Sequence, residues 1–365
     1  MLSKVAPWLL LTLLLAACWQ ETTIALPTAV ATAVPLPTAT PTAPPSPTPT
    51  AVPTATPMPP TATATPTEKA VATATEIAAA TPAGQTCQEP PPRPVYRHRT
   101  TAANPWPTAD PISYERLWLG PVLSTDQPPR RNEDYPYGYD GFGRYLLHTG
   151  LDLIEPPGTP VLAAAVGTVV VAQGDQQEQY GWRCDWYGQL VIIELEERWH
   201  DQPVYLLYGH LDSIAVTAGA PVVAGQPIGT LGASGATIGA HLHFELRLGA
   251  NDFGATRNPS LWLRPPPEEG MIAGRLVDSA GRPWQGVLVT AVNLSAGAIW
   301  QTTWSYLVDP YPLANPDEQH AENFVLANLP AGDYQLVIRM GQTEERQTVT
   351  VIAGEISTVE FVIDP

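Results

Sequence analysis

From His241 to Leu248 polar and apolar residues alternate without a break. His241, His243, Glu245 and Arg247 are polar, while Leu242, Phe244, Leu246 and Leu248 are apolar. A period of two predicts a strand with one face in a core and the other toward water. Short β-rich runs between Gly and Pro punctuation recur at 161–171 (VLAAAVGTVVV), 190–195 (LVIIEL) and 204–208 (VYLLY). Pro156-Pro157-Gly158 and Ala233-Ser234-Gly235 mark turns between such runs. No window carries the helical period convincingly, so residues 136–265 predict an antiparallel β domain with its chemistry on the loops. Further alternation follows between 270 and 365. GMIAGRLVDSAGRPWQGVLVTAV predicts two strands around a Gly-containing turn, and FVLANLPAGDYQLVIRM with QTVTVIAGEISTVEFVI predicts four more. Strands of this length and spacing predict a small β-sandwich, making the folded part of the chain all-β.

The pattern is lost toward the N-terminus. Residues 85–135 hold Pro and Trp without periodicity and predict an irregular lead-in packed on the next domain. Residues 19–84 are almost entirely Thr, Ala, Pro, Val and Ser, too poor in large apolar side chains to build a core. They predict a disordered Pro/Thr-rich tether whose polyproline II reach is roughly 200 Å. Residues 1–18 read MLSKVAPWLLLTLLLAAC: a positive start at Lys4, an apolar run, then small residues before Cys18. This is an export signal, too short for a comfortable membrane span. Leu15-Ala16-Ala17-Cys18 resembles the lipobox of bacterial lipoproteins. The resemblance implies lipidation at Cys18 and a protein held on the outer or periplasmic face of a membrane without crossing it. The alternative is an ordinary signal peptide with a chance cysteine.

Composition narrows the partners. The net charge of −17, with only 18 Lys and Arg, leaves no basic patch to neutralise phosphates and argues against nucleic acid. The three cysteines, Cys18, Cys87 and Cys184, form no CxxC pair, which argues against a thiolate zinc site. In an exported chain Cys87 and Cys184 are the candidate disulfide pair, closing a loop that stabilises by roughly 4–5 kcal/mol. Nothing in the sequence fixes the oligomeric state.

Four of the seven histidines fall in three segments of the first β domain: His148-Thr149-Gly150-Leu151-Asp152, Tyr208-Gly209-His210-Leu211 and His241-Leu242-His243. An offset of four puts His148 and Asp152 on one side of an extended segment. Two histidines with one carboxylate give a catalytic zinc three ligands and an open fourth position. Two histidines then remain for proton and charge work. Glu245, on the same strand face, is a candidate acceptor that orients a ligand; a plain solvent-facing carboxylate is the alternative.

The order H-x-x-x-D, Y-x-H-L, H-L-H-F-E resembles the lysostaphin and LytM-type zinc metallopeptidases of bacterial cell walls. HTGLDLIEPPGTPVLAAAVGTVVVAQG, AGQPIGTLGASGATIGAHLHFELR and Asn258-Pro259 extend the likeness through the domain. By that resemblance His148, Asp152 and His243 hold one zinc ion, and His210 and His241 are the catalytic histidines that do not bind it. Ala240 stands where the family has proline, and Cys184 sits in a Trp-rich insertion; both departures bear on the substrate rim. The sandwich pattern G-x-L-V-D-x-x-G-x-P-x-x-G-V with N-L-P-A-G-D-Y resembles carboxypeptidase regulatory-like and Cna-B-like modules of exported proteins.

The function implied is a zinc metalloendopeptidase that cuts peptidoglycan stems or cross-bridges, with the tether supplying reach. One rival is a non-catalytic adaptor that binds wall or regulates other wall hydrolases. Another is a zinc peptidase acting on exported proteins.

Overall fold

The structure, a computed structural model, describes residues 85–110 and 118–365. The export signal, Cys18 and the tether predicted over 1–84 lie outside the described residues. Within them the chain is all-β, with one 3₁₀ turn at Pro259–Leu261. The lead-in contributes β1 (Gln85–Thr86) and β2 (Thr100–Thr101).

The first domain is built on a ten-stranded sheet. Its strands are β3 (Arg130–Arg131), β4 (Leu151–Ile154), β5 (Pro160–Leu162) and β6 (Gly167–Gly174), then, after the short β7 (Glu178–Gln179) that lies outside it, β8 (Gln189–Leu195), β9 (Val204–Ile214), β10 (Pro221–Val222), β11 (Pro227–Leu231), β12 (Leu242–Leu248) and β13 (Thr256–Arg257). The main path runs β10-β6-β8-β9-β12-β4-β3, with antiparallel pairing throughout.

Period-two alternation sorts the central strands between two cores. Val191 and Ile193 of β8, Leu206 and Tyr208 of β9, and Leu242, Phe244 and Leu246 of β12 enter the main core. Leu190, Ile192, Tyr205 and Leu207 enter a smaller one on the opposite face, with Tyr180 and Tyr187. Each such side chain contributes roughly 1.5–3 kcal/mol relative to exposure. The face of β12 expected to meet water is therefore covered: all seven residues from Leu242 to Leu248 are buried. The cover is the Trp-rich insertion around Cys184.

The C-terminal part is a two-sheet sandwich. It comprises β14 (Glu269–Val277), β15 (Trp284–Gln285), β16 (Leu288–Asn293), β17 (Ala298–Trp304), β18 (Phe324–Pro330), β19 (Gly332–Met340), β20 (Thr343–Val351) and β21 (Ile356–Val362). The sheets are ordered β18-β14-β21 and β17-β16-β19-β20. Between them lie Ile272, Leu276, Val289, Phe324, Leu326, Tyr334, Leu336 and Phe361. One pairing, β14 with β21, is parallel. Two strands are missing from the sequence expectation: the two-residue β15, which pairs with the lead-in, and β17, whose Ala298, Ile299 and Trp300 are all exposed.

The two folded parts share a core. Met271 and Ala273 of β14, with Val325 and Ala327 of β18, face away from the sandwich interior and pack with Leu261 and Trp262 of the first domain. The lead-in touches both parts: β1 pairs with β7 and β2 with β15. Tyr96 and Ala102 pack with Tyr137, Tyr139 and Tyr306.

Candidate metal centre

Strand register brings the three histidine segments side by side. Asp152 on β4 and Gly209 on β9 are the two neighbours of His243 on β12. His148 lies just before β4. His148 Nε2 is 3.0 Å from Asp152 Oδ1 and 3.3 Å from His243 Nδ1, and that nitrogen is 2.9 Å from the same oxygen. A tetrahedral ion about 2.0–2.1 Å from each donor sets its donors roughly 3.3 Å apart, so the trio fits such an ion within a few tenths of an ångström. All three side chains are buried, and among the described residues they are the one such cluster of potential metal ligands.

The surroundings hold this geometry. A Cβ on Gly150 would lie 2.6 Å from the Phe244 carbonyl oxygen and 2.7 Å from His243 Nε2, so only glycine lets β4 approach β12 this closely. The Tyr135 ring stacks on His148 with centroids 4.3 Å apart. Burial works against charge on Asp152, but the charge of His148 and hydrogen bonds from His148 and His243 outweigh it and hold the carboxyl well below its usual range. Burial likewise opposes a proton on His243, yet hydrogen bonds and charge from Asp152 and Glu245 carry it up to about 9. The pocket is thus arranged to hold positive charge at this point.

His210 and His241 stand beside the trio. Their rings are 4.7 Å apart, and His241 Nε2 lies 3.5 Å from Asp152 Oδ1. His210 sits at φ +61°, where β9 carries extra residues against both β8 and β11. A bulge of this kind re-aims a side chain, and the left-handed backbone is one that histidine tolerates better than most. His210 Nδ1 meets the Ser234 carbonyl at 2.8 Å, and His241 Nδ1 meets that of Gly239 at 2.9 Å. A carbonyl only accepts, so both Nδ1 atoms carry the proton and both Nε2 atoms are acceptors. Burial lowers both imidazoles, helped for His210 by His243 and His241, which bring it to about 3. Both rings are neutral at pH 7.

Glu245 is fully buried, which overturns the solvent-facing alternative. Its Oε1 accepts from the Thr149 and Tyr187 hydroxyls, each at 2.6 Å, and lies 3.1 Å from His243 Nε2. Its Oε2 accepts from Arg247 Nε at 2.8 Å. Burial raises its pKa, but Arg247, His243 and Thr149 together pull it down to about 2. Arg247, itself fully buried, also donates to the Tyr180 carbonyl and the Tyr187 hydroxyl. Thr149, Tyr187 and Arg247 escaped the sequence reading. Arg247 carried a signal, since it shares the β12 face with His243; Tyr187 carried none, because the insertion has no period. The insertion is tied down by the Asp175 carboxylate, which accepts from the backbone N–H groups of Trp186, Tyr187 and Gly188. A disulfide joins Cys184 of the insertion to Cys87 of the lead-in, with the Cα atoms 5.6 Å apart.

Known proteins share this region. The model of Peptidase family M23 matches residues 146–255. A DD-carboxypeptidase/endopeptidase, Mpg, of Neisseria meningitidis serogroup B is 35% identical over 136 residues, 36% of this chain and 27% of that protein. The lipoprotein YgeR of Escherichia coli K12 is 35% identical over 142 residues, 39% of this chain and 45% of that protein. The chain thus spans less than half the length of these curated relatives. The solved catalytic domain of lysostaphin from Staphylococcus simulans is 26% identical, covering 36% of this chain and 89% of that one, with a TM-score of 0.29. Residues 146–255 of this chain thus carry a Peptidase family M23 domain.

Proposed function

We propose that this chain is a zinc-dependent metalloendopeptidase that hydrolyses peptide bonds in peptidoglycan stems or cross-bridges at the cell envelope, held to a membrane through a lipid on Cys18. The observation that carries the reading is the buried donor trio of His148, Asp152 and His243, at 2.9–3.3 Å spacing, beside two neutral imidazoles. The peptidoglycan target is supported by relatives such as Mpg. The envelope location is supported by lipoprotein relatives such as YgeR and by the sequence around Cys18.

His148 Nε2, Asp152 Oδ1 and His243 Nδ1 would hold the zinc ion. Bound there, zinc supplies a Lewis acid that polarises a peptide carbonyl and acidifies water near neutral pH. The chain's own residues do the rest. Glu245 accepts from His243 Nε2 and fixes which ring nitrogen faces the metal. Either His210 or His241 takes the proton of the attacking water at Nε2, since each is neutral and its Nδ1–H is engaged by a backbone carbonyl. The imidazolium formed is then the donor to the leaving amine, with the neighbouring ring centred 4.7 Å away.

Zinc analysis of the full chain combined with digestion of purified sacculi tests the proposal. Soluble peptide release, lost in both His241→Ala and His243→Ala, supports the enzyme. His243→Ala is expected to lose zinc, whereas His241→Ala keeps it and loses turnover; equal zinc loss in both overturns the division of roles. Tight sacculus binding without cleavage at any pH or zinc level identifies the adaptor instead.

A further inference from the structure

We propose that the cleft between the lead-in, the Trp-rich insertion and the turn after β12 is a saccharide-binding site. Resting on the wall reading above, its ligand is the glycan strand of peptidoglycan. The cleft has a volume of about 270 Å³, near the lower end of ligand pockets, which run from roughly 300 to 1,000 Å³. Its walls are Pro91 from the lead-in, Tyr180 and Trp182 from the insertion, and Asn251, Asp252 and Phe253 from the turn.

The lining suits a sugar. The half-buried rings of Trp182 and Phe253 lie 6.4 Å apart with a 57° tilt, giving two apolar faces for the C–H side of a pyranose. Polar groups of both kinds flank them. Asn251 Oδ1 is taken by Arg247 Nη1 at 2.9 Å, so its amide NH₂ is the group turned to donation. Asp252 Oδ1 accepts from the Gly254 N–H at 3.0 Å, and its second oxygen is an acceptor for a hydroxyl or acetamide. Among the nine residues that line the cleft only Asp252 is charged, which disfavours the acidic end of a peptide stem and favours a neutral sugar.

The cleft is also pre-built, which removes part of the ordering cost of binding. Gln85 pairs with Gln179 between β1 and β7, and the Cys87–Cys184 disulfide joins the same two walls. Its position matches the proposed chemistry. The turn follows β12, and the strand from His243 to Leu248 spans about 17 Å. An extended stem of four or five residues reaches roughly 13–18 Å. The reach of such a stem is thus comparable to the length of the strand between the cleft and the metal centre. This gives the insertion, the family departure at Cys184, a role on the substrate rim.

Isothermal titration of the zinc-loaded full chain tests the site with three probes: an N-acetylglucosamine tetramer, glycan strands stripped of stems, and free stem peptide. Saturable binding of both saccharides, weakened at least tenfold in Trp182→Ala and Phe253→Ala with zinc content and melting temperature retained, supports the proposal. If Trp182→Ala does not fold, Phe253→Ala alone provides the comparison. Binding of the stem peptide alone, saccharide binding unchanged in the folded variants, or no saccharide binding overturns it. A chain that binds glycan but releases nothing from sacculi overturns the peptidase reading and leaves the saccharide site standing. A chain that cleaves sacculi without binding either saccharide does the reverse.

Discussion

The buried pair of Glu245 and Arg247 gives the sharpest quantitative expectation. Both are fully buried, and Arg247 Nη2 lies 2.8 Å from Glu245 Oε2. Replacing Glu245 by Leu strands the guanidinium and removes the acceptor of the Thr149 and Tyr187 hydroxyls. Breaking a buried pair by removing one partner costs about 3–5 kcal/mol, and unpaired hydroxyls add to that. Replacing Arg247 by Met costs less, because the carboxylate keeps Thr149, Tyr187 and His243. The double variant is expected to be less destabilised than the sum of the singles by at least about 2 kcal/mol, since no lone charge remains. For a folded unit of this size each kcal/mol shifts the melting temperature by roughly 2–4 °C, so Glu245→Leu is expected to melt about 6–20 °C lower. Melting with chelator present separates folding from metal binding. With zinc, Glu245→Gln is expected to lower metal affinity by roughly 10- to 100-fold through His243. Additive single and double variants, or a Glu245→Leu melt within 2 °C of the parent, would refute the electrostatic account of this network.

Other expectations address the frame around the site. Cys87→Ser with Cys184→Ser opens a loop spanning a sequence separation of 97, so it is expected to cost about 4–5 kcal/mol; a reductant is expected to lower the parent's melting temperature and leave the variant's unchanged. Gly150→Ala forces a Cβ against the Phe244 carbonyl and His243 Nε2; zinc content measured on the folded fraction is expected to fall with turnover. Glu322 is fully buried, and burial followed by the charge of Asp317 raises its pKa well above 4.5. The folded state therefore binds more protons than the unfolded one above pH 4.5, and the stabilisation is lost as pH rises toward the folded value. Melting curves at pH 4.5 and pH 7 are expected to show the parent losing ground to Glu322→Gln at the higher pH, and a constant gap would contradict this.

Much of the fold was legible from two signals. Leu242–Leu248 alternates, while Leu190–Leu195 and Val204–Tyr208 are short β-rich apolar runs bounded by turn residues, and the structure pairs the three as neighbours. The histidine segments were legible for a related reason: His148 with Asp152, and His241 with His243, lie at offsets that one extended backbone brings to one side. Two features were hidden. The left-handed backbone at His210 belongs to a bulge, and the only trace of it in the sequence is Gly209 inside an otherwise apolar strand. The burial of Glu245 and Arg247 depends on tertiary cover from Tyr180 and Tyr187, in a loop with no period of its own. Alternation predicts which side chains share a face, but not what lies across from that face.

That limit bears on how the site works. Solvent on the polar face of β12 would screen Glu245 from His243 and leave Arg247 as an ordinary surface cation. With the insertion in place, Glu245 is ionised and dry, and its interaction with His243 is correspondingly strong. The insertion holds its shape through the Asp175 carboxylate, the β1–β7 pairing and the disulfide to Cys87. A lead-in residue 61 positions before His148 therefore helps set the electrostatic environment of the candidate metal centre. Loosening that link should act on zinc affinity through Tyr187 and Glu245 before it unfolds either β part, because the central strands β8, β9 and β12 keep their own core.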